Sequence, residues 1–336
     1  MRVIASIFHL PVSRSLFAAF ALLVALSFTA PAAQAQSLGY EGPTGVFVTP
    51  LASVSASPAK GLGQPSVAYH FLAGGPVIGD FSTVSITEGF AKRFEVGYTS
   101  EIHAGPDPDA LWNNDFDILH GKAIVLPENS FKTKWIPAIS VGGIYRSGDN
   151  IGGNINALAG ILLANDYNAV PSDGIAPITG KQKTANGDVY VVASKTITQI
   201  SKKVPVLLTA GLRGTNASLW GLGGNAPGFE GKVFGSAAFV VTGPGKSTII
   251  LASEVSEQPQ HILSATAGAH TALFDIPTSE VYAVRIVPLP RYKLNLDAGV
   301  LHAGGWIGNS TTEALMGGNL NLNMRARLAF GVSYGF

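Results

Sequence analysis

The chain has 336 residues, with 22 Lys and Arg against 21 Asp and Glu, and only 13% of it is charged. So balanced a chain lacks the basic surface that nucleic acid requires, and without a single cysteine it can build no disulfide scaffold, thiol nucleophile or thiolate metal site. The charged share is about half that of an ordinary soluble domain, while 46% of the residues are hydrophobic and 40 are glycine.

Residues 1–35 have the order of a secretory leader. Arg2 and Arg14 come first, an apolar run over 16–28 follows, and Ala33-Gln34-Ala35 places cleavage between Ala35 and Gln36. The run is too short to span a bilayer as a helix, and no later run is long enough. An exported chain too apolar for water, with no membrane helix, is expected to close into a barrel. Residues 36–64 precede the first clear strand and carry Gly42-Pro43-Thr44-Gly45-Val46-Phe47-Val48-Thr49-Pro50. A short strand is expected at 46–49. The segment reads either as a latch or plug in the lumen or as a periplasmic tail.

From 65 to 336 the chain reads as strands of period two. They fall at 65–72, 80–88, 93–101, 116–126, 135–146, 187–196, 204–215, 231–241, 247–257, 280–288, 292–301 and 324–336. In the first, Val67, Tyr69 and Phe71 alternate with Ser66, Ala68 and His70; in the third, Phe94, Val96 and Tyr98 alternate with Arg93, Glu95, Gly97, Thr99 and Glu101. A soluble sheet with one wet face gives the same local pattern. Its repetition along an exported chain points to a membrane barrel. Connections after the second, fourth, sixth, eighth and tenth strands are short and nearly all others long, as in outer-membrane barrels.

The chain closes on Leu328, Phe330, Val332, Tyr334 and Phe336 alternating with Ala329, Gly331, Ser333 and Gly335. This resembles the C-terminal strand of bacterial outer-membrane β-barrels. The resemblance implies that Phe330, Val332, Tyr334 and Phe336 form the signal read by the barrel-assembly machinery. The expected fold is therefore all-β: a transmembrane antiparallel up-and-down barrel of about 12 strands. It would sit in the outer membrane against lipid and lipopolysaccharide, with no cofactor.

If the large apolar residues face lipid, the opposite positions face the lumen. That places His70, Arg93, Glu95, Glu101, Lys122, Arg146, Arg213, Glu254, Arg285, Lys293, Asp297 and Arg327 inside. An Arg or Lys on the lipid side would cost about 2–4 kcal/mol at mid-membrane. These charges read either as the lining of a wet channel or as an ion-pair network filling a narrow barrel. Nothing has the pattern of a Ser/His/Asp set; His70, Glu95 and Ser85 could meet inside a barrel, but so could any lumen residues. The apolar run at 155–164, in a long loop over 147–186, could constrict the pore, add a barrel segment or lie on the membrane. Asp107, Asp109, Asp115 and Asp117 form an acidic loop that is either solvated or a divalent-cation site. Gly243-Pro244-Gly245-Lys246-Ser247-Thr248 is no phosphate loop, because Val240 stands where glycine is needed and a strand follows. Gly331-Val332-Ser333-Tyr334-Gly335 is no nucleophile elbow, because neither a helix nor a histidine follows.

Three stretches carry a further resemblance: Lys134-Trp135-Ile136-Pro137-Ala138-Ile139-Ser140-Val141-Gly142-Gly143, then 212–224 with Arg213, Thr215, Ala217 and the Gly221–Gly224 cluster, then 252–259 with departures at Val255 and Glu257. They resemble the bacterial domain-of-unknown-function 3034 family over roughly 116 to the C-terminus. Gly42–Pro50 is similar to the start of YjbH-like proteins, envelope proteins linked to exopolysaccharide export. The lipid-anchor cysteine of such lipoproteins has no counterpart here. The resemblance implies an outer-membrane barrel and supplies no catalytic residue. The expected function is a channel for small polar solutes. A non-conducting envelope component in polysaccharide export and an outer-membrane lipid-modifying enzyme are the alternatives.

Overall fold

In the computed structural model the described residues are 38–74, 80–104, 115–148, 168–171, 185–198, 204–221, 225–259, 263–267, 270–273, 278–289, 292–303 and 326–336. The leader with Ala35 and Gln36, the apolar run 155–164, and Asp107 and Asp109 lie outside them.

Twelve strands form one closed antiparallel barrel. They are β1 (Ser66–Ala73), β2 (Asp80–Phe90), β3 (Phe94–Ala104), β4 (Phe116–Leu126), β5 (Ala138–Gly148), β7 (Ala185–Ile197), β8 (Val206–Ala217), β9 (Asn225–Thr242), β10 (Thr248–Ser256), β13 (Ser279–Val287), β14 (Leu294–Ala303) and β15 (Arg327–Gly335). Three others, β6 (Asn168–Pro171), β11 (Leu263–Ala267) and β12 (His270–Leu273), form a small sheet in the order β12-β11-β6. The ring closes where β1 meets β15, with Ser66 opposite Gly335 and Leu72 opposite Ala329. Closure leaves no open ladder edge. A bilayer demands this, because an unpaired backbone group there costs several kcal/mol.

The two faces follow the alternation. On β1 and β2, Ala68, His70, Thr83, Ser85 and Thr87 are buried inward while Tyr69, Val84 and Ile86 are exposed outward. On β3, Glu95, Thr99 and Glu101 point in, and Val96, Tyr98 and Ile102 point out. On β15, Ala329 and Ser333 point in; Leu328 and Phe330 are exposed, and Val332, Tyr334 and Phe336 share that outer face half-buried. In water such side chains would forfeit roughly 1.5–3 kcal/mol each relative to burial. In lipid they forfeit nothing, so the exterior is that of a membrane-spanning barrel.

Four details differ from the sequence expectation. Residues 46–49 form no strand, because the N–H groups of Phe47, Val48 and Thr49 all turn to one carboxylate, that of Glu254. β9 begins at Asn225, inside the expected loop 216–230: Glu230 and Gly231 pair with Thr215 and Gly214, so the ladder overrides the glycine-rich composition. The expected loops 147–186 and 258–279 contribute the small sheet. The longest connections, 149–184, 257–278 and 304–326, do share one end of the barrel, opposite Ser66 and Gly335. Yet 127–137 at the other end matches 105–115 in length, and only 218–224 separates β8 from β9.

Leu251 faces out at the centre of β10. Leu251→Arg should destabilise the inserted barrel by about 2–4 kcal/mol, whereas Leu251→Val should cost little. Reversible urea unfolding in lipid vesicles measures both.

Candidate functional site

An eight-stranded barrel is about the size that wall side chains fill unaided. Twelve strands leave more room, and residues 38–55 occupy it. Leu38, Tyr40, Phe47 and Ala52 of this segment are all buried. The chain loops over itself through two isolated bridges, Leu38 to Thr44 and Gly45 to Pro50. Gly42 sits at φ +99°, and a Cβ there would lie 2.5 Å from Thr99 Oγ1, so position 42 requires glycine for conformation and for space. The Phe47 ring meets His70 edge-on at 5.5 Å.

Around this segment the wall presents a sequence of charges. Glu95 on β3 pairs with Lys122 on β4 at 2.9 Å. Glu95 also accepts from the Thr44 N–H at 3.0 Å, the Thr44 hydroxyl at 2.6 Å and the Ser55 N–H at 2.8 Å. Lys122 donates to the carbonyls of Thr44 and Leu51, both at 2.9 Å. Ser140 donates to the Ala52 carbonyl at 2.6 Å and Ser194 accepts the Ala52 N–H at 2.9 Å. Arg285 on β13 pairs with Asp297 on β14 at 2.6 Å and donates to the carbonyls of Gly45 at 3.2 Å and Val46 at 2.5 Å. The hydroxyls of Thr83, Thr99 and Thr87 donate to the carbonyls of Tyr40, Glu41 and Gly42 at 3.0, 2.9 and 2.8 Å.

Towards the long-loop end, Glu254 on β10 accepts from three consecutive N–H groups: Phe47 at 2.8 Å, Val48 at 3.0 Å and Thr49 at 2.5 Å. Arg146 on β5 lies between two carboxylates, bonded through Nε to Glu41 of the segment and through Nη2 to Asp188 of β7 at 2.8 Å. Arg213 stands 3.9 Å from Asp188. A short turn, Ser218–Gly221, brings Trp220 down beside them, buried, with Trp220 at φ 58° and Gly221 at φ +96°. Glu41, Thr49, Asp188, Tyr190, Arg213 and Trp220 line a cavity of about 20 Å³ left between segment and wall, room for a single water molecule.

Of the residues expected inside, His70, Glu95, Glu101, Lys122, Arg146, Arg213, Glu254, Arg285 and Asp297 are buried against the lumen. Lys293 is buried at the rim, in the turn before β14, reaching Gln64 at 3.4 Å. Arg327 opens β15, half-buried. Arg93 does not line the lumen. The strand starts at Phe94, because Ala91 and Lys92 form a left-handed turn, and Arg93 is exposed on the rim with Nη1 3.4 Å from the Ile124 carbonyl. His70, Glu95 and Ser85 do not meet: Ser85 bonds Thr99 at 2.8 Å, and the His70 Nε2 lies 4.0 Å from Asp297. Asp115 accepts from the His103 N–H at 2.9 Å and Asp117 from the Tyr98 hydroxyl, so both serve the wall. Sequence reasoning missed Asp188, which the alternation of β7 could have found. It also missed Glu41 and Trp220, for which no periodicity existed.

No protein-family model matches the chain, and no curated protein matches it. Among solved structures it is similar to the KdgM porin, at 12% identity over 81% of this chain and 99% of that one, with a TM-score of 0.40. It is also similar to the NanC porin, at 8% identity over 81% and 98%, TM-score 0.41, and to the β domain of the Bordetella autotransporter BrkA, at 10% identity over 81% and 99%, TM-score 0.33. At these values the likeness adds nothing to what the strand pairing already establishes.

Hydrogen bonds to a charged group contribute about 1.5–3 kcal/mol each. Glu254→Gln should therefore speed amide exchange at 47–49 by at least about tenfold, with the wall strands unchanged. Hydrogen-exchange mass spectrometry reads both regions in one experiment.

Proposed function

We propose that this protein is an outer-membrane, porin-like channel for small polar solutes whose N-terminal segment holds it closed. The observation that carries this reading is the lumen itself. Its wall is charged and hydroxylated on nearly every strand, behind an exterior that only lipid suits. A barrel built solely for support has no need of buried Glu95, Lys122, Arg146, Asp188, Arg213, Glu254, Arg285 and Asp297, since buried ion pairs are weak stabilisers at best. The signs alternate around the ring: acidic on β3, basic on β4 and β5, acidic on β7, basic on β8, acidic on β10, basic on β13 and acidic on β14. No single-sign field results that would draw in one class of ion, which favours neutral polar solutes.

On this reading the leader directs export, the aromatic C-terminal strand engages the barrel-assembly machinery, and the outer face contacts lipid and lipopolysaccharide. Kinship with the domain-of-unknown-function 3034 family is part of the same proposal. A second reading, a non-conducting envelope component that serves polysaccharide export, is favoured by the continuous bonding between segment and wall. For a lipid-modifying enzyme, Ser85 is bonded to Thr99, and a described hydroxyl beside a histidine is that of Thr87, 3.3 Å from His120 Nε2.

Single-channel recording in planar bilayers separates the first two readings. The intact protein should be closed for most of the record, and Glu95→Gln combined with Glu254→Gln should raise the frequency of steady openings at least tenfold. Silence from both proteins, with heat-modifiable migration proving folded barrels, would leave the non-conducting reading.

A further inference from the structure

The bonds between wall and segment are distributed unevenly along the segment. Most of the described ones engage its backbone; segment side chains take part where Thr44 and Glu41 meet Glu95 and Arg146, and where Tyr40 and Thr49 stand against Glu101 and Glu254. Carboxylates face N–H groups: Glu254 takes three in succession, and Glu95 takes those of Thr44 and Ser55. Cations and hydroxyls face carbonyls: Arg285 takes those of Gly45 and Val46, Lys122 those of Thr44 and Leu51, and Ser140 that of Ala52. Each wall group thus has the polarity opposite to the peptide atom it meets. The segment also adds nothing to the barrel ladder, which closes through β1 and β15 without it. Its link to β1 runs through Pro58, Ala59, Lys60, Gly61 and Leu62, all exposed.

We propose that the lumen is a peptide-binding site that recognises polypeptide backbone, and that residues 38–55 are its resident, exchangeable ligand. The ligand class is a short looped peptide. Its side-chain requirements are few: glycine at 42, where Thr99 leaves no room for a Cβ; an aromatic ring at 47 to meet His70; and an acid at 41 for Arg146. The proposal takes the gate of the channel reading as its ligand, so its test reads binding separately from current.

The test uses the full-length protein with a protease recognition sequence inserted within 58–61. After folding, the tether is cut and a fluorescent synthetic peptide of residues 36–56 is added. The labelled peptide should bind at one per barrel, by fluorescence anisotropy, only after cutting. A peptide N-methylated at Val48 keeps every side chain but loses one N–H to Glu254, and it should bind at least about tenfold more weakly. A Gly42→Ala peptide should bind more weakly still. Failure of the labelled peptide to enter cut protein, or equal binding of the N-methylated peptide, would overturn the proposal. Exchange without any current would uphold the peptide site while removing the channel reading. Current that added peptide cannot block would overturn the site.

Discussion

The interaction on which the rest of this structure depends is the capture of buried carboxylates by a backbone that is not part of the wall. A carboxylate taken out of water without partners costs several kcal/mol even after relaxation. Glu254 has no cation of its own among the bonds described for it. Three successive N–H groups of the N-terminal segment take that place. Glu95 has Lys122, yet its remaining lone pairs also go to the segment. Remove the segment from a dry lumen and these groups are stranded; fill the lumen with water and they are satisfied again. The same residues can therefore line a closed barrel and a wet one, and a core filled only by apolar side chains could not.

Barrel size and segment follow from one another. Twelve strands enclose too much space for the wall side chains to fill, so the interior must hold either water or more protein. Here it holds protein, packed partly by burial of Leu38, Tyr40, Phe47 and Ala52 and partly by the polar contacts. Trp220 completes the closure near Arg146 from the other end. In the closed state the cavity beside Asp188 and Arg213 holds no more than a water molecule. On the channel reading, passage of a solute requires the segment to move; residues 58–62, exposed but bonded to the β2–β3 turn through Gly61 and Leu62, join it to β1.

Much of the wall was legible because its physics has a period of two. Lipid outside and charge inside put Val96 against Glu95 and Phe330 against Ala329, and the strands bearing them were readable residue by residue. Arg93 misled because the alternation continues through a turn that the sequence does not mark. The segment was far less legible. Its Val46, Phe47 and Val48 have strand-like composition, but their N–H groups answer to Glu254, more than two hundred residues away in sequence. Backbone recognition leaves almost no trace in side-chain identity. Gly42 was the one residue whose type carried the geometry, and its partner Thr99 could be known only once the ring had closed. The glycines around 221–231 hid the start of β9 for a related reason, since ladder pairing asks nothing of the side chain.

That residues 38–55 sit inside the barrel in the intact protein is open to one direct measurement. The chain has no cysteine, so a single thiol reports without background. Ala52 is fully buried against Ser140 and Ser194, and Ala52→Cys adds one atom. In the folded protein in vesicles, a membrane-impermeant maleimide should leave Ala52→Cys unmodified until denaturation while labelling Lys60→Cys on the tether at once. Labelling of both at the same rate would place the segment in water and contradict the account.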